Sequence, residues 1–348
     1  MRYSAISCAL AAAGLFGIST PLAKLLIGAV DPWLLAGLFY LGSGVGLTLL
    51  RMALSAQRAK VEAPLTRGDI PWLGGAILFG GVIGPILLMV GLSQTEAATA
   101  SLLFTLEGVA TALIAWFAFR ENFDRRIAMG MFLIVAGAMV LSWHGEARLQ
   151  GLLGPAAIVG ACLAWGLDNN LTRRVSLADP VQTAMLKGLV AAPVSLALAF
   201  AHGASLPTLA TMAAATLVGF FGYGVSLVLF VTALRDLGTA RTGAYFSTAP
   251  FLGAAAAIPL LGEGLSAQLL LAGALMAAGA WLHLTERHAH EHEHEPIEHE
   301  HRHVHDEHHR HAHSPQDPPG EPHSHRHIHT KLRHAHAHLP DSHHRHTH

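Results

Sequence analysis

Long apolar runs separated by short polar segments occupy the first 285 residues of this 348-residue chain. A helix that crosses the hydrocarbon layer of a membrane needs about 20 mostly apolar residues. Segments of that kind are centred near Gly14, Gly42, Leu87, Leu113, Val135, Ala164, Val194, Leu217, Ala254 and Gly273. The period-two alternation of half-buried strands is absent, and backbone polar groups must be satisfied within lipid. The pattern therefore predicts an all-α integral membrane protein with ten transmembrane helices.

Composition agrees with this fold class. Hydrophobic residues make up 52% of the chain and charged residues only 13%, against roughly 25% charged residues in soluble domains. The net charge of −1 gives no indication of nucleic acid as a partner. The partners expected are the lipid bilayer and a small-molecule or ion substrate. A homodimer is compatible with the sequence.

Basic residues in the connections predict the orientation. If the N-terminus is cytoplasmic, twelve lysines and arginines lie on the cytoplasmic side, and Arg148 is the single basic residue outside. Cytoplasmic connections of membrane proteins carry such an excess of Lys and Arg. We therefore expect a multi-pass protein of a bacterial-type inner membrane, with both termini in the cytoplasm.

The chain also repeats itself. Leu15–Lys24 aligns with Ala164–Arg173, and Ser101–Glu121 aligns with Gly243–Glu263. Residues 1–144 and 151–285 then form two units of five predicted spans each. Because five is an odd number, the second unit enters the membrane from the opposite side. Inverted repeats of this kind are typical of secondary transporters.

A family resemblance rests on the same segments. In each repeat an alanine-rich segment leads into an apolar span that ends at Glu121 or Glu263. This pattern, with a glycine-containing first span, resembles the EamA-type proteins of the drug/metabolite transporter superfamily, over about residues 4–284. The resemblance implies ten spans, a carrier of small solutes rather than an enzyme, and a structural role for Glu121 and Glu263. Pro250 matches the mid-span proline of the family, whereas Gly108 takes that place in the first repeat.

Glu107 is the first candidate for chemistry. It lies near the middle of its span. A bare carboxylate there would cost on the order of several kcal/mol of free energy, so the group must be protonated, paired or facing water. One hypothesis is a substrate or proton site that loads and releases a proton during transport. The alternative is a neutral glutamic acid hydrogen-bonded to a neighbouring helix.

The first span of each repeat contains further candidate substrate-binding residues. In the first repeat, Thr20 and Lys24 flank Pro21, a structural residue that can break the helix and expose carbonyl groups to a cavity. Lys24 could instead extend its ammonium group to the membrane interface.

Asp168 and Asn169 lie at the corresponding depth of the second repeat. The Asp168 carboxylate could pair with Lys24, with Lys187 or with a bound cation. Alternatively, Asp168 marks the approaching end of its helix. The sequence leaves these alternatives open.

Residues 286–348 form a histidine-rich tail that contains 23 of the 26 histidines. Its low apolar content predicts disorder. Neutral imidazole is a good ligand for Zn, Ni and Co, so HxH repeats predict cytoplasmic metal binding, although no cofactor is required. The candidate ligands are His290, His292, His294, His299, His301, His303, His305, His308, His309, His311, His313, His323, His325, His327 and His329. A pH-responsive segment and an inert extension are the alternatives.

Three functions remain open. The first is a secondary-active carrier that exports a small metabolite or drug-like solute in exchange for protons. The second is a divalent-cation efflux protein for Ni, Co or Zn, and the third is a membrane-anchored metal store or sensor. Apolar walls with polar groups of mixed charge, Lys24 and Lys187 among them, fit an organic zwitterion or anion better than a metal ion.

Overall fold

A computed structural model describes residues 2–58, 65–119, 125–143, 152–176, 178–237 and 239–285, together with four short stretches of the tail. The α-helices are α1 (Arg2–Ile27), α2 (Pro32–Arg58), α3 (Ile70–Ala76), α4 (Gly84–Ser93), α5 (Ala97–Leu103), α6 (Thr105–Phe119), α7 (Arg125–Ser142), α8 (Leu153–Val175), α9 (Pro180–Ala201), α10 (Leu209–Gly219), α11 (Ser226–Leu237), α12 (Thr239–Phe246), α13 (Ala249–Leu261) and α14 (Ala267–Leu284). A 3₁₀ turn, Arg67–Asp69, precedes α3.

Seven helical stretches of the described residues are long and apolar enough to cross a membrane. The apolar helices Ala249–Leu261 and Ala267–Leu282 are shorter. The 23-residue helix α8 is comparably long but contains Asp168 and two arginines. Together these segments correspond to the ten spans that the sequence predicts. The prediction of an all-α membrane fold is confirmed.

The two halves of the bundle pack against each other in a repeated pattern. Helix α1 of the first half packs on α11 and α13 of the second, and α8 of the second half packs on α4 and α6 of the first. The pairs α2–α9 and α7–α14 each join corresponding helices of the two halves. The first span of each repeat therefore packs mainly on helices of the other half.

Glycines permit the closest of these contacts. A Cβ atom added at Gly44 of α2 would lie 2.6 Å from the backbone nitrogen of Leu189, and one at Gly188 of α9 would also meet the Gly44 backbone. Real side chains do not fit at such distances. Small residues at helix contacts in membranes let the backbones approach and gain van der Waals packing.

Four spans are irregular near their middle. The π-helical segment Ile77–Ile83 lies between α3 and α4, and Phe220–Val225 lies between α10 and α11 at the matching place of the second half. Span four is interrupted at Phe104, and span nine is interrupted at 247–248. Irregular backbone at membrane depth is tolerated only where protein or a water-filled cavity covers it.

Pro21 does not break the first span. Helix α1 continues through this residue to Ile27, so the expectation that Pro21 opens the helix toward a cavity is wrong. The residue is buried, and the adjoining part of α1 packs closely on α13, where a Cβ added at Gly253 would lie 2.8 Å from the carbonyl oxygen of Gly17. Packing from neighbouring helices can hold a transmembrane helix together at a proline.

Four tail segments have extended backbone. The strands are β1 (His288–His294), β2 (Glu298–His303), β3 (His323–Ile328) and β4 (Leu332–His338). β1 pairs with β4 and β2 pairs with β3, both antiparallel. These segments alternate histidine with other residues, which is the period of a strand. The rest of residues 286–348 lies outside the described residues.

Candidate functional site

A cavity lies between the two halves of the bundle, where α1, α6, α8 and α11 meet. Its lining side chains are Phe16, Tyr40, Glu107, Trp165, Asp168, Asn169, Lys187, Tyr223, Ser226, Leu227, Phe230 and Phe246, with Gly222. The walls are therefore mostly aromatic and aliphatic, with four charged or amide side chains grouped on one side. Apolar walls with a few convergent polar groups are typical of small-molecule sites.

Asp168 and Lys187 form a buried ion pair in the cavity wall. The Lys187 Nζ atom donates to both carboxylate oxygens of Asp168, at 2.6 and 2.5 Å, and both side chains are less than one-tenth exposed. Thr172 donates a further hydrogen bond of 2.9 Å to the Asp168 carboxylate. Each charge therefore has its compensating partner within the protein, as buried charges require.

The π-helical segment of the third span makes room for this pair. A Cβ atom added at Gly80 would collide with the Asp168 carboxylate, and one at Gly81 would lie 3.7 Å from the Lys187 side chain. The Gly80 carbonyl oxygen accepts hydrogen bonds from the Tyr40 hydroxyl at 2.6 Å and from the Trp165 ring nitrogen at 3.1 Å. π-Helical turns are frequent at functional sites, and here one contacts side chains of α2, α8 and α9 around the cavity.

Glu107 lies among the four charged or amide side chains of the cavity but is not part of the Asp168–Lys187 ion pair. Asn169 donates a hydrogen bond of 2.8 Å to its carboxylate, and within the described part of the chain no cation contacts that carboxylate. The interruption at Phe104 places Glu107 in the first turn of α6. The positive end of the helix dipole favours a negative charge in that turn.

The amides of two adjacent asparagines fix α6 to α8. Asn169 also approaches the Thr111 hydroxyl at 3.2 Å, and Asn170 donates to the carbonyl oxygens of Thr111 and Gly166, at 3.1 and 2.8 Å. Asn170 aligns with Pro21 of the first repeat, so the amide that fixes α6 has no counterpart at the matching position of α1. Glu107 is therefore held in place by residues of the other half.

An aromatic cluster forms the remaining wall. The Phe16 ring lies 5.9 Å from Trp165, 5.7 Å from Tyr223 and 5.5 Å from Phe246, centroid to centroid. Phe104 contacts both Phe16 and Trp165 from the other side. None of these aromatic residues is distinguished by a motif in the sequence. They lie within apolar runs that are far apart in the chain, so only the packing of the helices shows that they converge.

The structure places two of the predicted substrate residues away from the cavity. Lys24 lies in the last turn of α1 and donates hydrogen bonds to the carbonyl oxygens of Leu92 and Thr95, at 2.6 and 2.7 Å. Thr20 is buried and does not line the cavity. Lysine near a helix C-terminus satisfies carbonyl groups and interacts favourably with the helix dipole, so Lys24 joins α1 to the end of α4.

Glu263 makes the complementary contact at the same end of the bundle. Its carboxylate accepts hydrogen bonds from the backbone nitrogens of Ala97 and Ala98, at 2.7 and 2.8 Å. These nitrogens open α5, where unsatisfied N–H groups favour an anion. Pro250 is buried at the first turn of α13. Glu121, the repeat partner of Glu263, lies outside the described residues.

The structure does not describe the side chains of the histidine-rich tail, so the predicted metal ligands lie outside the described part of the chain. In the part of the chain whose side chains are described, no three His, Cys, Asp or Glu residues are grouped as a metal-binding set. Metal binding by the tail therefore stays a prediction.

Comparison with known proteins gives a consistent result. The EamA-like transporter family matches twice, over residues 3–143 and 152–285. An uncharacterized transporter of Methanothermobacter thermautotrophicus is 28% identical over 282 residues, which cover 77% of this chain and 82% of the relative. The probable 4-amino-4-deoxy-L-arabinose-phosphoundecaprenol flippase subunit ArnE of Pseudomonas fluorescens is 33% identical over 104 residues, which are 28% of this chain and 90% of ArnE. A solved crystal structure superposes with a TM-score of 0.61 at 21% identity, covering 82% of this chain and 98% of that chain.

Proposed function

Since the chain belongs to the EamA-like transporter family of the drug/metabolite transporter superfamily, we propose that it exports a small organic solute through the cavity around Glu107. Its relatives are transporters and not enzymes. Transporters built from related halves bind their substrate near the midplane and expose it to one side at a time. The observation that carries the proposal is a cavity with polar groups, lined by helices of both halves.

The two ends of the bundle differ in a way that supports alternating access. At the end where α1 stops, Lys24 and Glu263 fasten α1, α4, α5 and α13 together through backbone groups. The cavity lies toward the opposite end, because Lys187 is near the start of α9 and Phe246 ends α12. The basic residues favour that opposite end as the cytoplasmic one. A solute would then enter from the cytoplasm and leave after the contacts of Lys24 and Glu263 separate.

Glu107 is the residue that we propose to exchange protons. Its carboxyl group faces the cavity and is joined to Asn169 by a hydrogen bond, while Asp168 and Lys187 satisfy each other. A carboxyl group in such a position can hold either a proton or a substrate, but not both at once. Competition for one group couples solute export to proton uptake. An intramembrane ionisable residue of this kind marks substrate or ion pathways in transporters.

The test is transport by the purified full chain in proteoliposomes that contain a pH-sensitive dye. Tritiated L-phenylalanine, uridine and 2-phenylethylamine serve as probes, with an imposed pH difference. We expect at least one probe to move with the wild-type protein and with the control Glu96→Gln, whose exposed carboxylate lies outside the cavity. Glu107→Gln should abolish the proton-coupled movement.

The outcomes separate two parts of the proposal. If no probe moves faster than in protein-free liposomes, export of small organic solutes is contradicted. If a probe moves equally well with Glu107→Gln, transport stands and Glu107 is removed from the proton coupling.

For the tail, we propose cytoplasmic binding of Ni, Co or Zn. The support is its 23 histidines in repeated HxH spacing, since flexible imidazoles offer many interchangeable sites. Equilibrium dialysis of the full chain against a version ending at Arg287 should show several bound Ni ions only with the full chain; equal binding would contradict the proposal. Cellular Ni content separates a store, which retains metal, from the alternative efflux function, which lowers it.

A further inference from the structure

We infer that the cavity selects organic cations, an amine or quaternary ammonium group on an apolar body, with the Glu107 carboxylate as counter-ion. This inference rests on the proposal that the cavity is the transport site, and it names the charge of the solute. It also revises the expectation, drawn from the sequence, of an organic zwitterion or anion.

The first argument is the balance of charges. Lys187 is committed to both oxygens of Asp168, and the Lys24 ammonium is committed to two backbone carbonyls outside the cavity. Among the described residues, Lys187 is the one basic side chain that lines the cavity. An anionic solute would therefore meet two carboxyl groups and no uncommitted cation. The Glu107 carboxylate is the one charge of the cavity without a partner of opposite charge in the described chain.

The second argument is the aromatic wall. Phe16, Tyr40, Trp165, Tyr223, Phe230 and Phe246 line the same cavity as Glu107. Aromatic rings attract ammonium groups through their quadrupole, with tryptophan the most effective, and aromatic cages with a nearby acid recognise such cations. The rings also accommodate the apolar body of the solute. A carboxylate substrate gains nothing comparable from this wall.

The third argument excludes a bare metal ion from the cavity. Divalent metal ions need several oxygen, nitrogen or sulphur ligands in a fixed geometry. Here Asp168 is occupied by Lys187, and the remaining polar groups of the wall are the Glu107 carboxylate, the Asn169 amide and three hydroxyls. The hydroxyls of Ser226 and Tyr40 already donate to backbone carbonyl oxygens, and the third belongs to Tyr223. One carboxylate with an aromatic cage suits an organic cation, whose single charge is spread over an apolar group.

The experiment measures binding of three probes of similar size and different charge. They are 2-phenylethylamine, 3-phenylpropionate and 2-phenylethanol, added to the purified full chain in detergent. Trp165 lines the cavity, so a background in which Trp33, Trp72, Trp116, Trp143 and Trp281 are phenylalanine reports binding through the fluorescence of Trp165 alone. The variants are Glu107→Gln and the matched control Glu96→Gln, and the size-exclusion profile of each verifies folding.

We expect the amine to bind at least tenfold more tightly than the anion and the alcohol, in the background protein and in Glu96→Gln. Glu107→Gln should reduce that preference to twofold or less. The inference is overturned if the anion binds as tightly as the amine, if the amine does not bind, or if Glu107→Gln keeps the preference. Amine binding without any transport in proteoliposomes would instead contradict the proposed export and leave the charge selectivity standing.

Discussion

The buried pair of Asp168 and Lys187 provides a sharp test of the structure. Lys187→Met removes the ammonium and leaves the Asp168 carboxylate with the Thr172 hydroxyl as its one remaining donor among the described residues. Breaking a buried ion pair by removing one partner costs about 3–5 kcal/mol, because an uncompensated charge stays buried. We expect a loss of that size for Lys187→Met and a comparable loss for Asp168→Asn.

The double variant Asp168→Asn/Lys187→Met should behave differently from either single change. It leaves no buried charge in the pair, and replacing a buried ion pair by neutral residues of similar volume is often neutral or stabilising by about 1–4 kcal/mol. The double change should therefore cost less than either single change. The thermodynamic cycle isolates the interaction between the two side chains.

The assay is reversible unfolding of the purified protein in mixed micelles of increasing sodium dodecyl sulphate, followed by circular dichroism. The four proteins of the cycle are compared under the same conditions. Additive losses, with the double variant as unstable as the sum of the single variants, would refute the close contact of Nζ with the carboxylate. Lys24, which already has its own carbonyl partners, should be unaffected by these changes.

The remaining predictions concern the supports of the site, and each is measured by thermal unfolding in detergent. Gly80→Ala should destabilise the protein by about 1–3 kcal/mol, because the added methyl group overpacks against Asp168. The control Gly74→Ala has open space at its Cβ and should be neutral or slightly stabilising. Equal effects of the two substitutions would contradict the packing at Gly80. Lys24→Met should cost about 1.5–3 kcal/mol, because it removes two hydrogen bonds from a charged donor, and an unchanged midpoint would show that these bonds are absent. Glu263→Ala should cost about 0.5–2 kcal/mol through loss of the acceptor at the start of α5, with Glu263→Gln less affected; the reverse order would contradict this role.

The pairing of the two lysines could not be predicted from the sequence. The sequence left Lys24, Lys187 and a bound cation open as partners of Asp168. Both lysines lie within a few turns of a helix end, and hydropathy does not report which faces of two helices meet. The structure pairs Asp168 with Lys187 because the glycines of the π-helical segment leave space between α8 and α9. Lys24 projects toward the end of α4 instead.

The importance of Glu107, by contrast, could be predicted from the sequence. Its exceptional position was evident from the sequence, because a carboxyl group in the middle of an apolar span is costly unless it is paired, neutral or hydrated. A hydrogen bond to a neighbouring helix was one of the alternatives given for it, and the fold identifies the partner as Asn169. The aromatic wall of the cavity was not foreseen, because its aromatic residues lie in apolar runs, where lipid-facing, core and cavity positions cannot be told apart from the sequence.

The sequence by itself determined the membrane class, the ten spans, the relation between the halves and the family resemblance. These features depend on the length and polarity of contiguous segments, since a chain in lipid must satisfy its backbone within each helix. Only the tertiary structure decided which polar groups meet, which lysine is neutralised, and which aromatic residues converge on Glu107. Those contacts depend on the rotation and close approach of helices that are far apart in the chain, and these are set by packing rather than by hydropathy.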